Sequence, residues 1–145
     1  VQAEVGAAVS LVRDYDPSVP ELTADRSQLI QATLNIVRNA LQATSDNAGE
    51  RVLTLRTRIQ RHFTIGARLY RLVCRVDIAD NGAGIPAQLK DSLFIPMVSG
   101  RPGGTGLGLS IAQSIINQHQ GLIECRSEPG NTLFTLYLPL EVEHA

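Results

Sequence analysis

Apolar and polar positions alternate along much of the chain, and two stretches break that alternation with a helical period. From Gln28 to Ala43 the apolar residues Leu29, Ile30, Leu34, Ile36, Val37, Ala40 and Leu41 recur at three- and four-residue steps, the spacing of one face of an α-helix. Asp25 stands where an N-cap would sit, and Ser45-Asp46-Asn47-Ala48-Gly49 supplies the stop. A second amphipathic helix carries Leu107, Ile111, Ile115 and Ile116. Period-two alternation predicts strands from Ala8 to Asp14, Arg51 to Ile59, Tyr70 to Asp80, Gly121 to Ser127 and Thr132 to Leu138. Leu53, Leu55, Thr57 and Ile59 share one face of the second strand; Leu72, Cys74, Val76 and Ile78 share one face of the third. The polar link Gln60 to Leu69, with Gly66, reads as the loop of a hairpin. A short helical stretch is expected after Pro86, running to Leu93, followed by a glycine-rich loop from Gly100 to Gly108. Pro17 and Pro20 end the first strand. Mixed helices and strands with antiparallel hairpins predict an α+β fold, a two-layer α/β sandwich whose mostly antiparallel sheet is covered by helices on one face.

Composition narrows this picture. One hundred and forty-five residues suit one domain, and 43% hydrophobic with 19% charged residues suits a globular chain, not a disordered one. A formal net charge of −1 offers no basic surplus for nucleic acid. No apolar run is long enough to cross a bilayer, so no membrane contact is expected of this segment. Cys74 and Cys125 lie far apart in strand-like runs; buried thiols in a reducing cytoplasm is the main reading, with a disulfide the lesser one. The chain opens at Val1 in mid-pattern, which reads as a piece of a longer protein.

Three features resist a purely structural reading. The first helix has a polar stripe, Gln28, Gln31, Asn35, Arg38, Asn39 and Gln42. Such a stripe is usually a solvated face. Asparagine, however, is a poor residue in mid-helix, and Asn35 and Asn39 are one turn apart on the same side. Their amide oxygens are hard neutral ligands suited to a Mg²⁺ ion that also binds phosphates. Asp80 continues the apolar row of its strand, where a carboxylate needs a partner. It is either a wet turn residue before Asn81-Gly82 or a carboxylate aimed at a ligand amine, with Gly82 and Gly84 letting the backbone pass close to a flat ring. The third feature is Gly103-Gly104-Thr105-Gly106-Leu107-Gly108-Leu109 leading into a helix, whose backbone N–H groups favour phosphate. No Gly-Lys-Ser/Thr follows, and Leu109 stands where a dinucleotide fingerprint needs its third glycine, so neither of those loops is present.

Taken in order, Asn35-Ile-Val-Arg-Asn39, Asp80-Asn-Gly82-Ala-Gly84, Phe94-Ile-Pro96 and Gly104-Thr-Gly106-Leu-Gly108 resemble the four signature boxes of histidine kinase catalytic domains, members of the ATPase superfamily that also contains gyrase and MutL. The resemblance covers nearly the whole chain. Each box alone is weak; four in order are strong. Asn35-Ile-Val-Arg-Asn-Ala-Leu-Gln-Ala and the short Pro96-Met-Val-Ser-Gly-Arg loop look most like the nitrogen-regulation sensor kinases.

The resemblance implies the Bergerat ATP-binding fold across residues 1–145, with ATP and Mg²⁺ as cofactors. Asn39 and Asn35 would hold Mg²⁺ against the phosphates, and Asp80 would accept from the adenine amino group beside Gly82, Gly84 and Ile85. Phe94 to Thr105 would form the lid, with Arg101 reaching the terminal phosphate. Gly104, Thr105, Gly106, Leu107 and Gly108 would meet the phosphates, their glycines serving as hinge. The implied partners are the protein's own dimerisation domain, which carries the phosphoacceptor histidine, then a response regulator and a PII-type signalling protein; the implied location is cytoplasmic. Two departures stand out. Gln42 and Ala43 replace a basic residue and an aromatic common in relatives, with Arg38 a candidate substitute for the charge, and Met97 replaces a lid phenylalanine. His62, His119 and His144 are expected to be structural or solvated, none lying in a phosphoacceptor pattern. Two other readings stay open: a non-catalytic nucleotide-sensing module, and an ATPase or serine kinase of the same superfamily. The latter commonly places a glutamate base where this chain has Asn35, and an amide cannot take a proton.

Overall fold

The computed structural model describes residues 9–20, 24–45, 47, 49–85 and 105–142. In chain order the elements are β1 (Val9–Asp14), α1 (Arg26–Ala43), β2 (Arg51–Ile65), β3 (Arg68–Asp80), α2 (Thr105–Gln118), β4 (Leu122–Glu128) and β5 (Asn131–Val142). The five strands form one sheet in the order β1-β2-β3-β5-β4. β1 runs parallel to β2; the other three pairings are antiparallel. This is the expected mixed, mostly antiparallel sheet with both helices on one face.

The helices sit where their apolar stripes demand. Ala32, Ile36, Val37 and Ala40 of α1 and Leu109, Ala112, Ile115 and Ile116 of α2 are buried together with Leu53, Cys74, Ile78, Ile123, Phe134, Leu136 and Leu138 from the sheet. Truncating any one of the large members to alanine would cost about 2–5 kcal/mol. Ile30 and Ile111, which the periodicity includes in the apolar stripes, instead stand 48% and 40% exposed. Each lies at the edge of its apolar stripe, away from the buried centre of the helix face.

Helix ends are set by local chemistry. Asp25 is the N-cap of α1, its side chain accepting from the Gln28 N–H at 3.1 Å. At the other end Arg51 donates to the Leu41 carbonyl and the Thr44 hydroxyl, a cation closing a helix C-terminus. After α2 ends at Gln118, Gln120 turns into the left-handed region and the Gly121 N–H donates back to the Ile116 carbonyl. A side chain at Gly121 would strike the Tyr137 carbonyl. His119 ties the two helices together. Its Nε2 accepts from the Asp25 N–H at 3.0 Å, so the proton sits on Nδ1, 2.8 Å from the Ile115 carbonyl.

The strands outrun the sequence-based limits. The loop expected from Gln60 to Leu69 is a tight turn at Gly66 (φ 62°) and Ala67, and the β2–β3 ladder continues to Ile65↔Arg68. Polar Gln60, Arg61, His62 and Thr64 hide the strand pattern here, and His62 takes a positive φ of 50°, while Phe63 and Ile65 stay half-buried on the face between them. β5 likewise extends from Asn131 to Val142. Neither cysteine is in a disulfide; Cys74 is buried and Cys125 half-buried. Among the described residues no helix is long and apolar enough to cross a membrane. The helical stretch expected between Pro86 and Leu93 lies outside the described residues.

Candidate functional site

Asp80 closes β3 on the face covered by the helices, opposite Leu53 of β2 and Thr132 of β5 in the ladder. It is 4% exposed. Its Oδ1 accepts the Gly82 N–H at 2.9 Å, and its second oxygen meets no donor among the described residues. Desolvation pushes the carboxyl above the ordinary carboxylate range, with the Gly82 N–H a smaller opposing influence. The sequence left open a wet turn residue; the structure shows a buried carboxylate with hydrogen-bonding capacity to spare.

The segment after Asp80 is fixed from both sides. Asn81 is stitched to the start of β2: its Oδ1 accepts from the Val52 N–H at 2.9 Å and its Nδ2 donates to the Glu50 carbonyl at 2.8 Å. Asn47 also donates to the Asn81 side chain at 3.1 Å. Gly82 passes so close to the last turn of α1 that a Cβ there would fall 2.4 Å from the Ala43 carbonyl oxygen. Gly84 has φ 90°, and a Cβ would press on the Glu128 carbonyl. The Gly82 carbonyl accepts from the Gly130 N–H at 3.0 Å, and the Ile85 N–H donates to Ser127 Oγ at 2.8 Å. Asn81 and these backbone contacts hold the loop in place, and the absent side chains of Gly82 and Gly84 leave its backbone open to a flat ligand.

On α1, Asn35 and Asn39 are half-buried on the stripe predicted from periodicity. Asn39 Nδ2 is buried and unpartnered among the described residues. A buried amide donor without a partner costs about 1–3 kcal/mol, an expense that a phosphate oxygen would remove. The residues present therefore fit a Mg-nucleotide: an orphan donor and amide oxygens on α1, a buried acceptor at Asp80, and glycines whose missing side chains leave room between them.

α2 begins at Thr105, so Gly106, Leu107 and Gly108 form its first turn. Gly106 and Gly108 thus stand in helical conformation, and their N–H groups belong to the unpaired donors of a helix N-terminus. Phe94, Arg101 and Gly104 lie outside the described residues. Ser127 and Thr132 escaped the sequence reading. Their oxygens are 2.8 Å apart, and Thr132 is almost fully buried opposite Asp80. The available signal was Thr132 itself, a hydroxyl in the same alternating row as Phe134, Leu136 and Leu138.

Comparison with known proteins meets this geometry from outside. The profile described as histidine kinase-, DNA gyrase B- and HSP90-like ATPase matches residues 24–142, and the chain belongs to that family. Within it, the chain is 58% identical over 140 residues to the sensory histidine kinase/phosphatase NtrB of Klebsiella oxytoca, covering 97% of this chain and 40% of that protein. It is 56% identical to NtrB of Salmonella typhimurium over the same shares. The chain thus spans about 40% of the length of these curated relatives. Among solved structures, the catalytic domain of histidine kinase ThkA superposes with a TM-score of 0.74 at 26% identity, over 94% of this chain and 81% of that one. Full-length ShkA in complex with AMPPNP shares the fold, with a TM-score of 0.70 at 24% identity over 99% of this chain and 27% of that one.

Proposed function

We propose that this chain is the single ATP-binding catalytic domain, residues 1–145, of a protein–histidine kinase, and that it presents the γ-phosphate of Mg-ATP to a histidine on a separate dimerisation domain. The observation that carries the reading is Asp80, a desolvated carboxylate at a strand end with an oxygen to spare. An adenine amino group is a donor of the right kind for it. Asn39 and Asn35 would hold Mg²⁺, which supplies charge neutralisation at the phosphates. Gly82, Gly84 and Ile85 border the ring. The first turn of α2, Thr105 to Gly108, would offer N–H groups to the phosphates, and by the family resemblance Gly104 and Arg101 would belong to the lid, with Arg101 serving the terminal phosphate.

What the chain's own residues do is bind, orient and neutralise, which phosphoryl transfer requires more than covalent chemistry. Asn35 carries an amide where a hydrolase of this family would need a base, so bound ATP waits for an acceptor. The identity to NtrB supports nitrogen-responsive signalling in the cytoplasm, with a response regulator receiving the phosphoryl group and a PII-type protein modulating the kinase. The test mixes the chain with dimerisation domains and radiolabelled ATP. Acid-labile label on the supplied histidine is expected, with very slow phosphate release from the chain alone. Rapid steady-state release, or no nucleotide binding with Mg²⁺ present, would overturn the proposal.

A further inference from the structure

Among the described residues, hydrogen bonds from Gly130 and to Ser127 hold the loop that follows Asp80 against the β4–β5 hairpin. One is backbone to backbone, Gly130 N–H to the Gly82 carbonyl. The other depends on a single side chain, Ser127, whose Oγ accepts the Ile85 N–H at 2.8 Å. The same oxygen lies 2.8 Å from Thr132 Oγ1, its cross-strand partner in the β4–β5 ladder. Thr132 in turn sits opposite Asp80 in the β3–β5 ladder, and both are buried. One hydroxyl therefore braces two walls of the site at once, the Ile85 backbone and the Thr132 hydroxyl beside the carboxylate. Gly84, between them, has no Cβ and a φ of 90°, so it does little to hold Ile85 in place by itself.

We infer that Ser127 is a positioning residue for the adenine end of the site, acting through Ile85 and Thr132 without touching the nucleotide. This rests on the nucleotide-binding reading above. A Ser127→Ala variant keeps both strands but leaves the Ile85 N–H without its acceptor and Thr132 without its partner. The loop then samples positions in which Ile85 no longer lies along the ring. One lost hydrogen bond of ordinary strength corresponds to roughly a five- to tenfold loss of affinity. Because the disturbed end is the base end, the loss is common to adenosine, ADP and Mg-ATP, and the dependence on Mg²⁺ is unchanged.

The experiment titrates adenosine, ADP and Mg-ATP into the wild-type chain, Ser127→Ala and Ser127→Thr, and follows exchange of the Ile85 amide proton by NMR. Expected are equal fold-losses for all three ligands in Ser127→Ala, faster Ile85 exchange, and recovery of both in Ser127→Thr, which restores the hydroxyl. Should Ser127→Ala fail to fold, Ser127→Cys against Ser127→Thr makes the same comparison, since a thiol is a weak acceptor of similar size. Unchanged affinity, or a loss confined to Mg-ATP, or a lowered melting temperature with normal binding would each make Ser127 a hairpin residue only and overturn the inference. Failure of the wild-type chain to bind any of the three would overturn the nucleotide reading itself, and the inference with it.

Discussion

Asp77 and Asp80 lie three residues apart on β3, so they point to opposite faces of the sheet, and both are buried, at 2% and 4% exposure. On the open face, Asp77 is surrounded by partners that the ladder delivers. Arg56 and Thr135 are its neighbours across β2 and β5, and Arg75 is two residues back on its own strand. Arg75 approaches to 3.0 Å, the Thr135 hydroxyl donates at 3.1 Å and Arg56 stands at 3.6 Å. Beyond Arg56, Asp14 continues the row at 3.2 Å. On the helix-covered face, Asp80 has the Gly82 N–H. Burial is the same; satisfaction is not. A buried acid whose lone pairs are used holds a sheet together, whereas one with capacity left over is poised for a ligand.

The sharpest break of this comparison is to neutralise each acid. Asp80→Asn should weaken Mg-ATP by about 1–3 kcal/mol, roughly five- to 150-fold, because its amide can set a donor against the adenine donor. The nucleotide-free domain should melt no lower than wild type, since a desolvated charge has been removed. Calorimetric titration with thermal unfolding checks both; a binding-competent but destabilised variant would make Asp80 another Asp77.

Asp77→Asn should do the reverse. Its partners Arg75 and Arg56 are about one-third exposed, so solvent softens the loss, and about 1–2 kcal/mol of stability is expected to go. Affinity of the folded variant for ATP should stay within about twofold of wild type, the scale of an effect remote from the ligand. Denaturant titration and nucleotide binding on the same preparation separate the two quantities.

A control remote from both acids is His119→Ala, which removes the acceptor of the Asp25 N–H where α2 meets α1. About 0.5–1.5 kcal/mol of stability should be lost, with nucleotide affinity retained. A loss of affinity larger than the loss of stability would show that helix docking, and not Asp80, controls the site.

The smallest effects are in the pH dependence, and they differ in sign. Asp80 is raised above its unfolded value, so the folded state keeps its proton longer. Stability is greatest below the unfolded pKa and declines as pH rises through the folded one. Asp14 is lowered, first by the hydrogen bond to Arg58 and then by that to Arg56. Its contribution is present above the unfolded pKa and lost as pH falls through the folded one, and it should fade with added salt because the pair is on the surface. Melting temperature against pH for wild type, Asp80→Asn and Asp14→Asn, at low and high salt, should remove the first dependence in one variant and the second in the other.

Local patterns alone were enough for the element types, the Asp25 cap, the polar stripe bearing Asn35 and Asn39, and the singling out of Asp80, because helical and strand periods and capping chemistry are properties of neighbouring residues. The hairpin end reads as a loop because Gln60, Arg61 and His62 interrupt the apolar alternation before Phe63 and Ile65 resume it, and only the ladder with β3 shows the strand continuing. Asp77 drew no notice for the opposite reason: a charge at an outward position of a strand looks ordinary until Arg56, Arg75 and Thr135 are seen to enclose it. Ser127 and Thr132 were missed because they lie more than forty residues from the loop they brace, and only strand order and register bring them to it. Whether a buried polar group is satisfied depends on partners distant in the chain, and that was decided by the tertiary structure alone.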